Sequence, residues 1–235
     1  MLRSLARQIL RSQPISDEER VYTFLRDRGF APQGIIDVGA YEGKWSESVR
    51  AIFGELPTLM VEAQEQKAPF LEDSVSGHDD WSYKIALLAA ETGREVSFYE
   101  METGSSMMSE NSDVRRKESK LRTTTLDEIA ADLPGDELFL KIDVQGAELE
   151  VLKGATETLR RAGLVQLETA FLTYNEGAPT MCEVLTFMEQ RGFLPVDIAG
   201  QIRIKRMLIQ IDLLFTPRGN PLRPEFFAWE ADSTA

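Results

Sequence analysis

Four apolar runs in this chain end at or beside a carboxylate: Ile35 to Val38 around Asp37, Leu59 to Val61 before Glu62, Leu138 to Ile142 before Asp143, and Leu164 to Leu167 before Glu168. Short apolar runs of this length read as buried strands. Carboxylates at their ends can hold an amino group, accept the hydroxyls of a diol, or take a proton from a reacting hydroxyl. The run before Asp37 leads directly into Gly39, and Gly43 follows where a helical pattern opens with Trp45, Val49, Ile52 and Phe53. Strand, glycine turn and helix start together form one end of a parallel α/β sheet, where backbone N–H groups face a ligand. Glycine suits that turn because the backbone there takes a positive φ or stands directly against its ligand.

An anion at Asp37 repels a pyrophosphate and suits a cation or an amino group. Glu62, one strand further on, stands where doubly wound sheets place the acid that binds a ribose diol. A ribose hook without a phosphate cradle points to a nucleoside lacking a diphosphate. S-adenosylmethionine fits, with its adenosine, sulfonium and α-amino acid. The same sheet type also serves nicotinamide-dependent oxidoreductases, but those use G-x-G-x-x-G, and here only Gly39 and Gly43 follow the strand.

The elements that position these acids run as follows. Residues 1–13 place Leu2, Leu5, Ile9 and Leu10 on one helical face, with Arg3, Arg7 and Arg11 elsewhere. The segment lacks the apolar core of a signal peptide but shares the Arg- and Ser-rich character of an organelle presequence. The simpler expectation is an amphipathic helix that packs on the domain or on a partner. Ser16 and Glu19 form a capping box for a second helix ending at Gly29. Further expectations are a helix from Gln66 to Ser76, a strand from Trp81 to Leu88 and a strand over 95–100. The charged stretch from Gly104 to Lys120 reads as a surface loop or a lid, with a helix from Thr123 after it. The helix over 181–191, then strands over 193–198 and 208–215, complete the pattern. The domains expected are a helical appendage over 1–29, a main domain over 30–216 and a tail over 217–235 carrying Phe226, Phe227 and Trp229.

Composition narrows the class. The chain has 235 residues, 43% of them hydrophobic, enough for one α/β domain with appendages. Its net charge of −13 argues against nucleic acid and anionic membrane as partners. The single cysteine, Cys182, excludes an intrachain disulfide and a Cys-based zinc site, and its helical pattern predicts a buried thiol. The single histidine, His78, falls in a polar loop and is expected to be solvated. No apolar run approaches the ~18 residues of a membrane span. These features together predict a cytoplasmic protein.

With these pieces placed, residues 34–215 resemble the FkbM family of S-adenosylmethionine-dependent methyltransferases. The resemblance rests on Ile36 to Gly43, on Gly104-Ser105-Ser106 with Thr124-Thr125-Leu126-Asp127, on Leu140-Lys141-Ile142-Asp143-Val144-Gln145-Gly146-Ala147-Glu148, and on Val165-Gln166-Leu167-Glu168. Gln145 departs from the family, which usually has glutamate there. The resemblance implies a Rossmann-like class I methyltransferase fold: a seven-stranded, mostly parallel sheet with an antiparallel last strand and helices on both faces. It also implies O-methylation of a hydroxyl on a sugar, glycan or secondary metabolite. The expected cofactor contacts are Glu62 with Ala63 at the ribose, Asp37, Gly39, Ala40 and Tyr41 toward the methionine end, and Ser105 and Ser106 beside them. Ile85 and Ala86 are expected to flank the adenine. Asp143 is both a cofactor contact and, with Glu168, one of two unranked candidates for the base. Tyr174 and Asn175 are candidates for the acceptor pocket. No metal is expected. A non-catalytic binding protein on the same sheet is the alternative, and a homo-oligomer is compatible with both readings.

Overall fold

The computed structural model describes residues 16–101, 104–109, 116–173 and 175–225. The expectations for residues 1–13, for Tyr174 and for Phe226, Phe227 and Trp229 lie outside them. Helix α1 (Asp17–Asp27) opens on the capping box, Ser16 Oγ accepting from Glu19 N while Glu19 accepts from Ser16 N. Its Tyr22 and Leu25 are fully buried in the core on one face of the sheet.

The sheet begins with β1 (Gly34–Val38), followed by α2 (Lys44–Phe53) and β2 (Thr58–Glu62). A 3-10 turn at Glu65–Lys67 feeds α3 (Ala68–Val75), which returns the chain to β3 (Trp81–Ile85). The short β4 (Leu87–Leu88), β5 (Glu95–Glu100) and β6 (Lys117–Thr124) form a separate three-stranded sheet in the order β4-β6-β5. Then come α4 (Leu126–Ile129), β7 (Leu138–Ile142), α5 (Glu148–Lys153), α6 (Thr156–Arg160), β8 (Ala162–Ala170), α7 (Met181–Gln190), β9 (Phe193–Ile204) and β10 (Met207–Pro217). The main sheet has seven strands in the order β3-β2-β1-β7-β8-β10-β9, with β10 antiparallel to both neighbours. This is the expected sheet.

Strand alternation divides the core. Ile36, Val38, Leu140, Ile142 and Leu167 pack on one face with Val184 and Met188 of α7. Ile35, Phe139 and Leu214 pack on the other with Tyr22 of α1 and Val49 of α2. Phe139 is the centre of that second face, ringed edge-to-face by Tyr22, Phe30, Trp45 and Phe53 at 5.2–6.2 Å. Such pairs add ~0.5–1.5 kcal/mol each beyond their buried area.

Several expectations are corrected. The strand read as Trp81 to Leu88 breaks at Ala86, whose N–H donates to Glu62 O, and Leu87–Leu88 join the second sheet through β6. Residues 117–124 are a strand rather than loop or helix. They lack an apolar period because cross-strand polar pairs hold them, Lys117 with Glu100 at 3.1 Å and Glu118 with Ser97 at 2.7 Å. Cys182 is exposed, lying on the outer side of α7. His78 stacks on Trp81 and meets Glu55 at 3.1 Å. Among the described residues no helix is long and apolar enough to cross a membrane.

Candidate active site

The C-terminal ends of β1, β2 and β7 surround a cleft of about 700 Å³, open to solvent. Its floor is the β1 turn, which is zipped on both sides: Gly39 N and Ala40 N donate to Val61 O, while Asp143 N donates to Val38 O. At Gly39 the φ is 78°, and a Cβ there would stand 1.9 Å from the Asp143 carbonyl oxygen. No side chain fits between these two strand ends.

Glu62 closes one wall. It is buried, its Oε2 accepting from Tyr41 N at 2.9 Å and its Oε1 from Gln64 N at 2.8 Å. The two backbone donors lock the carboxylate in place and leave lone pairs facing the cleft. Ala63, Ala86, Leu87, Leu88 and Phe98 supply an apolar wall beside it. A slot of this kind, one anchored carboxylate in an apolar wall, matches a nucleoside. Glu62 would hold the ribose diol and the apolar wall the adenine.

Asp143 stands across the cleft with about a third of its side chain (32%) open. Behind it lies a charge network on the α1–α2 face of the sheet. Lys141 Nζ sits 3.4 Å from Asp143 and 3.5 Å from Asp37. Burial works against both charges. The Asp143 and Asp37 carboxylates outweigh it and raise the Lys141 pKa. Lys141, with hydrogen bonds from Glu168 and Gln145, likewise overcomes burial to hold Asp143 below the usual carboxylate range.

Glu168 has the opposite fate. Burial first, then the neighbouring Asp143 charge, push its pKa up to about 10, which favours the protonated acid hydrogen-bonded to Asp143. Gln145 Nε2 bridges the two, donating to Asp143 Oδ1 at 3.1 Å and to both Glu168 oxygens. Glu168 also borders a smaller hollow with Gly146, Thr169 and Asn175. Two more acids are shifted upward mainly by burial, Asp212 to about 6 and Glu148 to about 7.

Of the residues singled out from sequence, Gly39, Tyr41, Glu62, Ala63, Ala86, Ser105, Ser106 and Asp143 border the cleft. Three do not. Asp37 alternates to the other face of β1, fully buried, where Ser46 Oγ donates to it at 2.8 Å and Lys141 flanks it. Ala40 and Ile85 pack beneath the turn with Met60, Leu71 and Trp81. The serines border the cleft with hydroxyls already engaged: Ser105 Oγ accepts from Met101 N, and Ser106 Oγ donates to Gln145 O. Asn175 donates to Gln145 O as well, a loop-holding role. Lys141 was missed, although a lysine inside the apolar run from Leu138 to Ile142 was itself a signal, since buried lysines need partners. Among the described residues no cluster could hold a metal ion.

The strand order and the lone antiparallel strand, with an open cleft at the strand ends, are those of a class I S-adenosylmethionine methyltransferase fold. The Methyltransferase FkbM domain matches residues 37–195. The chain belongs to the FkbM methyltransferase family, and S-adenosylmethionine is its cofactor. Among solved structures, it is similar to the N-terminal domain of EvdMO1 determined in the presence of SAH and D-fucose (12% identity, TM-score 0.50, 88% of this chain and 85% of that one). It is also similar to the precorrin-6y C5,15-methyltransferase of Geobacter metallireducens GS-15 (13%, 0.48, 86% and 87%). A third is the magnesium protoporphyrin IX methyltransferase ChlM of Synechocystis PCC 6803 with bound SAM (11%, 0.47, 85% and 77%). No curated protein sequence matches the chain.

Proposed function

We propose that this protein methylates a hydroxyl of a small-molecule or glycan acceptor, a sugar or a secondary metabolite, with Asp143 as the base. The observation that carries this reading is the pairing of an ionised, partly open Asp143 with a protonated Glu168 behind it. When bound, S-adenosylmethionine supplies a methyl group on a sulfonium that is displaced in line. Transfer requires the acceptor oxygen about 3 Å from the methyl carbon. Glu62 orients the cofactor from the far wall, keeping its carboxylate away from the sulfonium, whose charge an adjacent anion would only stabilise before transfer. Asp143 accepts the hydrogen bond of the acceptor hydroxyl and takes its proton as the oxygen gains its methyl. Glu168 stays protonated and positions Asp143, and Gln145 keeps the two carboxyl groups in register without adding a charge.

In this proposal residues 30–216, with α1 packed against them, form the catalytic domain, and the setting is the cytoplasm. The test is incubation with methyl-labelled S-adenosylmethionine and a panel of hydroxylated acceptors, starting with sugars, and mass spectrometric location of the label. A methyl ether, lost with Asp143→Asn, is the expected product. Label on nitrogen, or normal turnover by Asp143→Asn, would refute the assignment.

A further inference from the structure

We propose that the tip of the β9–β10 hairpin, with Phe171 and Leu172 at its root, docks on an anionic lipid surface and so brings an amphiphilic acceptor to the cleft. The acceptor half rests on the function proposed above; the docking half stands by itself.

Strand β10 pairs with β8 only as far as Gln210 opposite Ala170, two residues past Glu168. The hairpin continues beyond that point, at the same edge of the sheet as the cleft, to the closing pair Met207–Ile204. Three residues at ~3.3 Å each carry the tip roughly 10 Å past the last β8 pairing. Every residue from Gln201 to Met207 is exposed. Ile204 faces Met207, and Ile202 lies on the same side two residues along. Phe171 N and Leu172 N both donate to Ile209 O, which sets their side chains beside the hairpin root. These five apolar side chains are each 46–57% exposed. A cluster of that kind at one edge marks an interaction surface.

Arg203, Lys205 and Arg206 are interleaved with them. Arg203 donates to Gln201 Oε1 and to Arg206 O, and among the described residues none of the three cations meets a carboxylate. Lys205 and Arg206 occupy the two turn positions with φ of 48° and 72°. Two-residue hairpins usually place Asn and Gly there. Residues 201–209 contain no acid, in a chain whose net charge is −13. Screening at physiological salt acts over ~8 Å, so a surface meeting the tip feels these cations more than the distant carboxylates.

Apolar side chains set among cations fit an anionic interface, the first entering the acyl boundary and the second meeting head groups. A second copy fits poorly. A twofold contact through the exposed edge of β9 is self-complementary and would bring two sets of three cations together. The sequence holds a second acid-free basic and apolar stretch, residues 1–15 with Arg3, Arg7 and Arg11, immediately before α1, the helix that packs against β9.

The experiment is co-sedimentation of the full chain with phosphatidylcholine vesicles, with and without phosphatidylglycerol, in the absence of cofactor and acceptor. Binding is expected only to the anionic vesicles and is expected to weaken with salt. Each cation should contribute about five-fold, so that Arg203→Gln/Lys205→Gln/Arg206→Gln together lower partitioning on the order of 100-fold. Ile202→Gln/Ile204→Gln/Met207→Gln should also release the protein, while thermal stabilisation by S-adenosylmethionine stays unchanged in both variants. The proposal is overturned if the full chain ignores anionic vesicles, or if both hairpin variants bind like the parent and only substitution of Arg3, Arg7 and Arg11 matters. A hairpin variant that turns a dimer into a monomer without changing vesicle binding would overturn it too, in favour of a second copy. Because vesicle binding is read without methyl transfer, failure of the catalytic proposal leaves this result standing, and the reverse holds as well.

Discussion

Gln145 Nε2 donates to both carboxyl oxygens of Glu168, at 3.0 and 2.9 Å, and thereby ties the turn after β7 to the end of β8. It does so from a left-handed backbone, φ 54°, held in place as Ser106 and Asn175 both donate to its carbonyl. A glutamate here would face two carboxyl groups with a third. The amide instead links them by donating to each.

Glu168 should make stability fall as pH rises. Below the unfolded value near 4.3 both states hold its proton and there is no penalty. From there toward its folded value of about 10 the unfolded chain releases a proton that the fold retains, so unfolding becomes progressively easier. Glu148 and Asp212, raised to about 7 and about 6, add the same sign over narrower windows. Asp143, whose pKa is lowered, opposes this only in acid, where its contribution is lost. Urea unfolding at pH 5.5 and pH 8.5 should show a drop that Glu168→Gln reduces, on the order of 1–3 kcal/mol. Parallel profiles for the two proteins would show that Glu168 is ionised in the fold.

Lys141→Met should cost about 3–5 kcal/mol, since it strands Asp37 and Asp143 beside each other without their cation. Adding Asp37→Asn should restore part of that loss. A double-mutant cycle in guanidinium checks the coupling, and strictly additive effects would contradict it.

Glu62→Gln should weaken S-adenosylmethionine binding by tenfold or more, about 1.4 kcal/mol, because one backbone donor loses its acceptor and the diol loses an anion. Calorimetric titration measures this directly. An unchanged dissociation constant would remove Glu62 from the cofactor site.

Asp143→Asn should keep cofactor affinity within a few-fold and cut single-turnover methyl transfer by about 10²–10³, the range for loss of a general base. Equal losses in binding and turnover would make Asp143 a cofactor contact and nothing more.

Gly39→Ala should be among the most damaging single-methyl changes in the chain. It combines a positive φ with a contact to backbone oxygen that no rotamer can relieve. A loss above about 3 kcal/mol, or failure to fold, is expected. Wild-type melting would mean that the β1 and β7 ends do not approach so closely.

Much of this molecule was legible along the chain, and what was hidden follows a pattern. Apolar runs, glycine turns and the Ser16–Glu19 box report each segment's own burial and hydrogen bonding, so β1, β2, β7, β8 and the capped α1 could be read directly. They also carried the resemblance that the family match confirms. The charged β6 gave no such signal, because its stability comes from partners across the sheet.

Only the assembled sheet decided what each acid does. Asp37 and Glu62 look alike in sequence, each at the end of an apolar strand. Yet alternation turns Asp37 into the core against Lys141, while the β1 turn gives Glu62 two backbone donors at the cleft. Asp143 and Glu168, equal candidates from their chemistry, are pushed in opposite directions, the first toward its ionised form and the second toward its protonated one. The sequence determines which residues are buried and which strands can form, because that information is local. Neighbouring strand order sets which charges meet, and in a desolvated interior it is those meetings that determine where each proton resides.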